Sequence, residues 1–522
     1  MQQLVSYNKY IFFGVFLFRL WYALYFLVYG NDTISQQFAA DQFLDGHGIT
    51  HPLLTSTALD SLVYQPMAKW PLTLTLVQAF VYAMISDWIT VAQVLTIVSV
   101  ILFFWLVYKT VHLLGFSGQF QFITWVLLLT NPLLFHEFGV ADWMGLAAYA
   151  GGFYCFSAFL KQPERRVIWL LTASFCLYLP AAFRYQYYPL VVFFPAFALY
   201  VSWKMKNPAA VKNAWLLSIS SAFFLLLQMG LFRWYAGGVE NLFPQTSGWY
   251  WANLLQADPF VLKSVFRADY FIFKFPAYSE DIRSGFLFLS LILFLLAIVL
   301  IQGRKKAAAA LPEQAVNRFL RMSILLIAGL FFLFLSLLSV KNPPVAFGFM
   351  NLNFIGETRY YSPVMYLLML LLIWLLQENK NRILWRGSAL LLLLCNTLLW
   401  VKFLINMPGL PAPVTQLRWA VQDRAVVKQA VQQAVPLSGT PIVLSWVPTE
   451  YILLNHFTEQ TYILKDYRQL LTAELPVTSH FVFAAEKAFL KEEEQNQLVA
   501  KGFREVYRND FYVVLLRKAT SE

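Results

Sequence analysis

The sequence predicts an all-α polytopic membrane domain of about eleven transmembrane helices, followed by a small extracytoplasmic α/β domain. Three observations predict it. The 522 residues are 59% hydrophobic and only 13% charged, with a mean hydropathy of +0.57, so the chain carries far more apolar surface than a water-soluble core can hide. Apolar runs near the length that crosses a bilayer recur as far as residue 405. Beyond Pro408, Pro411 and Pro413 the composition changes and charged residues become frequent.

The spanning runs lie near 10–29, 90–111, 119–136, 143–160, 167–183, 187–203, 214–232, 284–302, 322–340, 361–377 and 387–405. The first is too long for a signal-peptide apolar region and lacks a small-residue cleavage site, so it is read as a retained span. A further run from Trp70 to Ile85 is shorter and opens on Trp70-Pro71. Parity decides its status. If it does not cross and the N-terminus is inside, then Lys109, the 161–166, 204–212, 304–321 and 380–386 basic clusters all face the cytoplasm. It is therefore assigned to a helix in the outer interface. The domains that follow are a membrane domain over 1–405, including a first extracytoplasmic loop with its interfacial helix at 30–89, and an extracytoplasmic domain over 406–522. Within the tail, an amphipathic helix is expected near 416–434, strands at 441–446, 461–464 and 481–484, a charged helix at 491–501 and a hairpin at Arg508-Asn509-Asp510.

The net charge of +11 belongs largely to these orientation clusters, which argues against a nucleic-acid partner. Cys155, Cys176 and Cys395 sit inside apolar runs and form neither a metal pair nor a disulfide framework. No HExxH, phosphate-binding loop or dinucleotide fingerprint is present.

The first outer loop holds Asn31-Asp32 directly after the opening span, then Ala40, Leu44-Asp45-Gly46-His47-Gly48, Tyr64-Gln65-Pro66 and Lys69-Trp70-Pro71. An acid at the exit of a span, a Gly-x-Gly turn and a Trp-Pro helix start resemble the GT-C superfamily of polytopic glycosyltransferases, in the branch of protein mannosyltransferases and aminoarabinose transferases. Phe138-Gly139-Val140-Ala141-Asp142, Phe183-Arg184-Tyr185 and Glu357-Thr358-Arg359-Tyr360 extend the likeness over about residues 1–400. The family's Trp-Pro-Pro-Gly-Tyr-Pro segment is incomplete here, because Trp70-Pro71 runs into Leu72-Thr73-Leu74.

The resemblance implies a membrane glycosyltransferase that moves a sugar from a polyprenyl-phosphate donor to a lipid, glycan or protein acceptor on the extracytoplasmic face of a bacterial inner or plasma membrane. Inverting transfer needs a base for the acceptor hydroxyl. Asp32 is the candidate base and Asp142 a second acid, with a turn at the helix exit and an N-cap as their respective structural readings. Arg184 and Arg359, the latter with Glu357, are candidates for the departing phosphate, against a reading as helix-end anchors. Asp41, Tyr64 and Trp249 are the candidate substrate-loop residues, although Trp249 also fits an interfacial aromatic belt. No cofactor is required by the pattern, and a divalent cation held by Asp32, His136 and Asp142 stays open. Arg19, inside the first span, is read either as snorkelling or as a structural or donor-site cation. The rival functions are a transporter or flippase for a lipid or polyprenyl conjugate and a catalytically silent scaffold of the same fold.

Overall fold

The computed structural model describes the chain apart from residue 1 and the segments 28–30, 56–57, 68–70, 132–138, 163–165, 236–245, 250–290, 302–311, 341–357 and 380, most of 406–441, and 448–460, 465–467, 473, 476–479, 487–489, 509–511 and 520–522. The chain divides into two compact units. The first comprises Met1–Val28, Lys69–Pro71 and Gln93–Pro411, and the second Tyr29–Ala68, Leu72–Ala92 and Ala412–Glu522.

The first unit is helical. Its elements are α1 (Gln2–Tyr25), most of α4 (Trp88–Leu113), α5 (Gly118–Thr130), α6 (Val140–Lys161), α7 (Val167–Phe183), α8 (Tyr188–Lys204), α9 (Pro208–Tyr235), α10 (Leu291–Ile301), α11 (Pro312–Leu337), α12 (Thr358–Glu378) and α13 (Arg382–Ile405). Among the described residues four helices are long and apolar enough to cross a membrane: Trp88–Leu113, Val140–Lys161, Pro208–Tyr235 and Arg382–Val401. The chain is an integral membrane protein. Shorter apolar helices accompany these four, among them Gly118–Thr130, which at 13 residues is about 20 Å long. The unit's core is aromatic and aliphatic throughout, with Trp125, Tyr149, Phe194, Tyr366 and Trp374 buried in it. α6 and α7 approach closely because a side chain at Gly152 would come within 3.2 Å of the Cys176 carbonyl.

Helix ends in this unit are closed by polar side chains from other helices. Asn8 of α1 donates to Gly118 O at 2.8 Å and to Gln121 Oε1 at 3.0 Å. Lys161, the last residue of α6, donates to Leu113 O at the end of α4, at 2.6 Å. Gln377 of α12 takes the Ser117 N–H at 2.8 Å and donates to Gly115 O at 3.0 Å. At the other end of α5, the Arg19 Nε donates to Leu129 O at 2.9 Å and its terminal nitrogen to Asn131 O at 3.4 Å, while the Trp400 indole donates to Thr130 O at 2.8 Å. The Arg19 guanidinium also lies 5.6 Å from the Trp400 ring. Only 2% exposed, Arg19 does not snorkel; it is a positive charge capping the C-terminus of a short helix.

The second unit is built on a seven-stranded sheet. Its strands are β1 (Thr50–Thr55), β2 (Ala58–Pro66), then, after the first unit's β3 (Thr246–Trp249) and β4 (Leu338–Val340), β5 (Ile442–Val447), β6 (Thr461–Leu464), β7 (His480–Glu486), β8 (Arg504–Arg508) and β9 (Tyr512–Arg517). The order is β8-β9-β7-β5-β6-β1-β2. β5 pairs in parallel with both β6 and β7, and β8, β9 and β7 form an antiparallel edge. β1 and β2 form an antiparallel pair that joins this sheet where Leu53 stands beside Ile463 in parallel. The tail strands fall within a few residues of the expected positions, whereas no strand is expected from the sequence over 50–66. The expected helix at 416–434 and the turn at Asn509-Asp510 lie outside the described residues. Alternate positions Phe481, Phe483 and Ala485 meet Val513 and Leu515 in a small core, together with Leu470 of α14 (Arg468–Thr472) and Leu498 of α15 (Glu492–Ala500). α2 (Asn31–Leu44) and α3 (Leu72–Ile85) pack on each other in the same unit.

His480 opens β7 and accepts the Ala519 N–H on Nδ1 at 2.9 Å, which requires the neutral ring. Burial, then Lys518, lowers its pKa from the ordinary 6.5. Its contribution is therefore complete above about pH 6.5 and is lost as pH falls through the lowered value. Protection factors of the Tyr512–Arg517 amides, exchange rates corrected for their intrinsic pH dependence, are expected to fall between about pH 7 and pH 5 in the native protein, and His480→Leu to remove that dependence. In the first unit, Arg19→Met should lower stability by about 3 kcal/mol, because Leu129 O and Asn131 O lose a charged donor. Thermal unfolding in detergent, followed by tryptophan fluorescence, would show it; an unchanged midpoint would remove Arg19 from the closure of α5.

Candidate functional site

In the first unit the structure brings together two residues to which the sequence assigns separate tasks. Asp142 lies in the first turn of α6, three residues after the N-cap Gly139, and its Oδ2 accepts the Gly139 N–H at 3.2 Å. Its Oδ1 accepts from Arg184, whose Nε stands 2.9 Å away and whose terminal nitrogen completes the ion pair. Asp142 therefore serves as both cap and counter-ion. Arg184 follows α7 in an extended conformation that ends the helix, and a 3₁₀ turn over Tyr185–Tyr187 leads into α8. Pro180, lacking an N–H, sits in the last turn of α7, and the Arg184 N–H closes onto its carbonyl at 3.0 Å.

Both partners are buried, Asp142 at 3% and Arg184 at 6% exposure. Removing two charges from water is repaid only when they meet each other and further donors, as they do here. Packing fixes the pair. A Cβ at Gly145, one turn below Asp142, would lie 2.8 Å from Tyr187 Cε2 and 3.4 Å from Arg184 Cγ, so only a hydrogen at this position lets both side chains seat against α6. The Tyr187 ring stacks on Phe331 at 6.2 Å and 8°, and meets Tyr149 at 5.7 Å. The sequence signal for this arrangement is the spacing Asp142–Gly145–Tyr149, one face of a helix, embedded in a run of small residues.

The pair stands at the opposite end of α6 from Lys161, about 28 Å of helix away. Lys161 shares its end with Leu113, and four of the other basic residues expected in the cytoplasm carry aromatic partners: Lys109 over Trp105 at 5.9 Å, Lys204 over Trp203 at 5.0 Å, Arg386 over Trp385 at 5.5 Å and Arg321 over Trp374 at 4.5 Å. Arg359 lies in the first turn of α12, seven residues before Tyr366, whose ring meets Tyr149 at 5.9 Å. Trp249 ends β3, which pairs with β4. Glu357 and His136 lie outside the described residues.

In the second unit, Asp32 is half-buried in the first turn of α2, where its charge faces the positive end of the helix. Asp41 is on the same helix and Tyr64 is in β2. The Gly-x-Gly of the first loop has a torsional explanation. Gly46, at φ +86°, ends α2 in a Schellman turn, with His47 N–H on Gln42 O at 2.9 Å and Gly46 N–H on Phe43 O at 3.2 Å. Gly48, at φ +75°, then turns the chain into β1. Asp87 caps α4 through the Thr90 N–H at 3.1 Å, and the Trp88 ring stacks on Tyr82 at 3.9 Å. Burial, with Asp41, Asp87 and Asp45 nearby, raises the Tyr82 phenol. Among the described residues no three His, Cys, Asp or Glu side chains group so as to hold a metal ion.

No family model and no curated protein matches the chain. Among solved structures it is similar to ArnT from Cupriavidus metallidurans in the apo state, at 12% identity and a TM-score of 0.48 over 98% of each chain. It is likewise similar to the same protein bound to undecaprenyl phosphate, at 11% identity and a TM-score of 0.47, covering 99% of this chain and 98% of that one.

Asp142→Asn is expected to cost about 3–5 kcal/mol, since it leaves Arg184 buried without its counter-ion, whereas the double variant Asp142→Leu/Arg184→Met should recover most of that loss. Denaturation of the two purified variants beside the wild type measures this directly; equal stability of Asp142→Asn and wild type would mean that the pair contributes nothing to the fold.

Proposed function

We propose that the protein is a membrane glycosyltransferase that moves a sugar from a polyprenyl-phosphate carrier to a hydroxyl group on the extracytoplasmic side of the membrane. The observation that carries this reading is the buried Asp142–Arg184 pair at the end of α6 remote from its basic terminus. Lysine and arginine clusters favour the cytoplasmic side, so the remote end is assigned to the outside. Activated nucleotide sugars are cytoplasmic, so a donor used outside must arrive already attached to a lipid.

Asp32 is the proposed base. As the acceptor hydroxyl gives its proton to the Asp32 carboxylate, its oxygen bonds to the anomeric carbon, the bond from that carbon to the phosphate oxygen breaks, and the carrier leaves as polyprenyl phosphate with inversion. General-base assistance of this kind is worth about 10² to 10⁴ in rate. Charge develops on the departing phosphate, and guanidinium groups stabilise it by paired hydrogen bonds. Arg184 is assigned that role, with Asp142 holding its orientation, and Arg359 with Glu357 is assigned a second contact. Asp41, Tyr64 and Trp249 are assigned to the sugar-facing surface. No step is assigned to a divalent cation. The C-terminal strands are taken to be extracytoplasmic, by the same parity.

The test uses proteoliposomes carrying radiolabelled polyprenyl-phosphate sugar, with membrane extract as the source of acceptors. The wild type should transfer label, and Asp32→Asn should lose at least about a hundredfold in rate with an unchanged circular dichroism spectrum. Full transfer by Asp32→Asn removes Asp32 from the mechanism. Label crossing the bilayer without transfer identifies a flippase, and neither outcome a silent scaffold.

A further inference from the structure

α2 and α3 carry amides in a place where amides are costly. Gln36 and Gln78 have no exposed surface, and neither the nitrogen nor the oxygen of either side chain has a hydrogen-bond partner. The Thr75 hydroxyl, one turn before Gln78 on α3, is equally buried and equally unpartnered. The Trp88 indole N–H is unpartnered too; its ring stacks on Tyr82 of α3 at 3.9 Å, and Gln37, the neighbour of Gln36, donates to its backbone carbonyl at 2.9 Å. Buried polar atoms are almost always satisfied, so these four side chains, on two helices that pack on each other and at the start of α4, call for a partner.

The residue types limit what that partner can be. Each amide offers donors and an acceptor, the threonine offers both on one atom, and the indole adds a donor. Neither α2 nor α3 contains a basic residue, while α2 carries Asp32 and Asp41, which disfavours an anion. A hydroxyl group donates and accepts at the same oxygen and suits both atoms of an amide. Asp32 precedes Gln36 by four residues, which puts the two on one face of α2.

We infer that the α2–α3 layer binds the hydroxyl groups of a neutral sugar, within one helical turn of Asp32; this rests on the proposed function in that Asp32 would then meet a sugar hydroxyl. The sugar can belong to the carrier-linked donor or to the acceptor. Either source presents the same chemistry.

The test separates binding from turnover. Wild-type protein in nanodiscs is probed by saturation-transfer NMR with a panel of neutral methyl hexosides, and separately with polyprenyl-phosphate hexose. Gln36→Leu, Gln78→Leu and the shape-preserving Thr75→Val are compared with it. Binding of at least one probe should weaken about tenfold or more in each variant, while the unfolding temperature holds or rises because an unpartnered buried polar group has been removed. Weakening for the methyl hexosides assigns the site to an acceptor sugar, and weakening confined to the lipid-linked probe assigns it to the donor. Absence of binding to the wild type overturns the inference. So does unchanged binding in the variants, or a lowered unfolding temperature with binding intact, which would make the amides an interhelical structural pair. Binding that depends on Gln36 and Gln78 in a protein without transferase activity leaves this site standing and overturns only the proposed reaction.

Discussion

In a bilayer every polar group that water would otherwise serve must find its partner within the protein, and the first unit is organised around that demand. Its long helices satisfy their own backbones, so the demand falls on the ends. Arg19 and Trp400 close the carbonyls at the end of α5, Lys161 does so for α4, and Gln377 joins the turn between them to α12. Each bond joins segments far apart in sequence. The polar contacts therefore fix which helices are neighbours, while the apolar core supplies most of the buried area.

The Asp142–Arg184 pair is the most concentrated form of the same constraint. It is electrically neutral as a unit, and the aromatic wall of Tyr187, Tyr149 and Phe331 around it has little water with which to screen either charge. A guanidinium held in this way has lost its freedom to reorient before any ligand arrives. The absent side chain at Gly145 is therefore as consequential for the pair as the charges themselves.

What was legible in the sequence divides along the same physical line. The apolar runs, the basic clusters and the tail strands follow from local pattern, since hydrophobic period and turn residues act over a few positions. Asp142 could be read as an acid opening a helix, but its union with Arg184 joins α6 to the α7–α8 turn, a contact that no local pattern encodes. Arg19 admits two readings in the sequence because its acceptors are backbone carbonyls, which every residue possesses. The sequence assigns the run at 70–85 to an interfacial helix by parity, but not which face it buries: Leu76, Phe80 and Met84 face outward, and Thr75 and Gln78 lie hidden on the other side of α3. The hairpin over 50–66 is not legible in the sequence because Pro52, Asp60 and Ser61 interrupt the alternation that marks a strand.

The sheet of the second unit imposes an order on biogenesis. Leu53 leaves the ribosome early and Ile463 late, with the intervening spans synthesised and inserted in between. Until then the β1–β2 hairpin has an unsatisfied edge, and a bare edge in a crowded compartment invites wrong neighbours. Pro52 removes one backbone donor from the hairpin. A nascent chain stalled before residue 461 would thus reach the membrane with its early loop waiting for a strand that never comes, a natural point at which quality control could distinguish finished chains from unfinished ones.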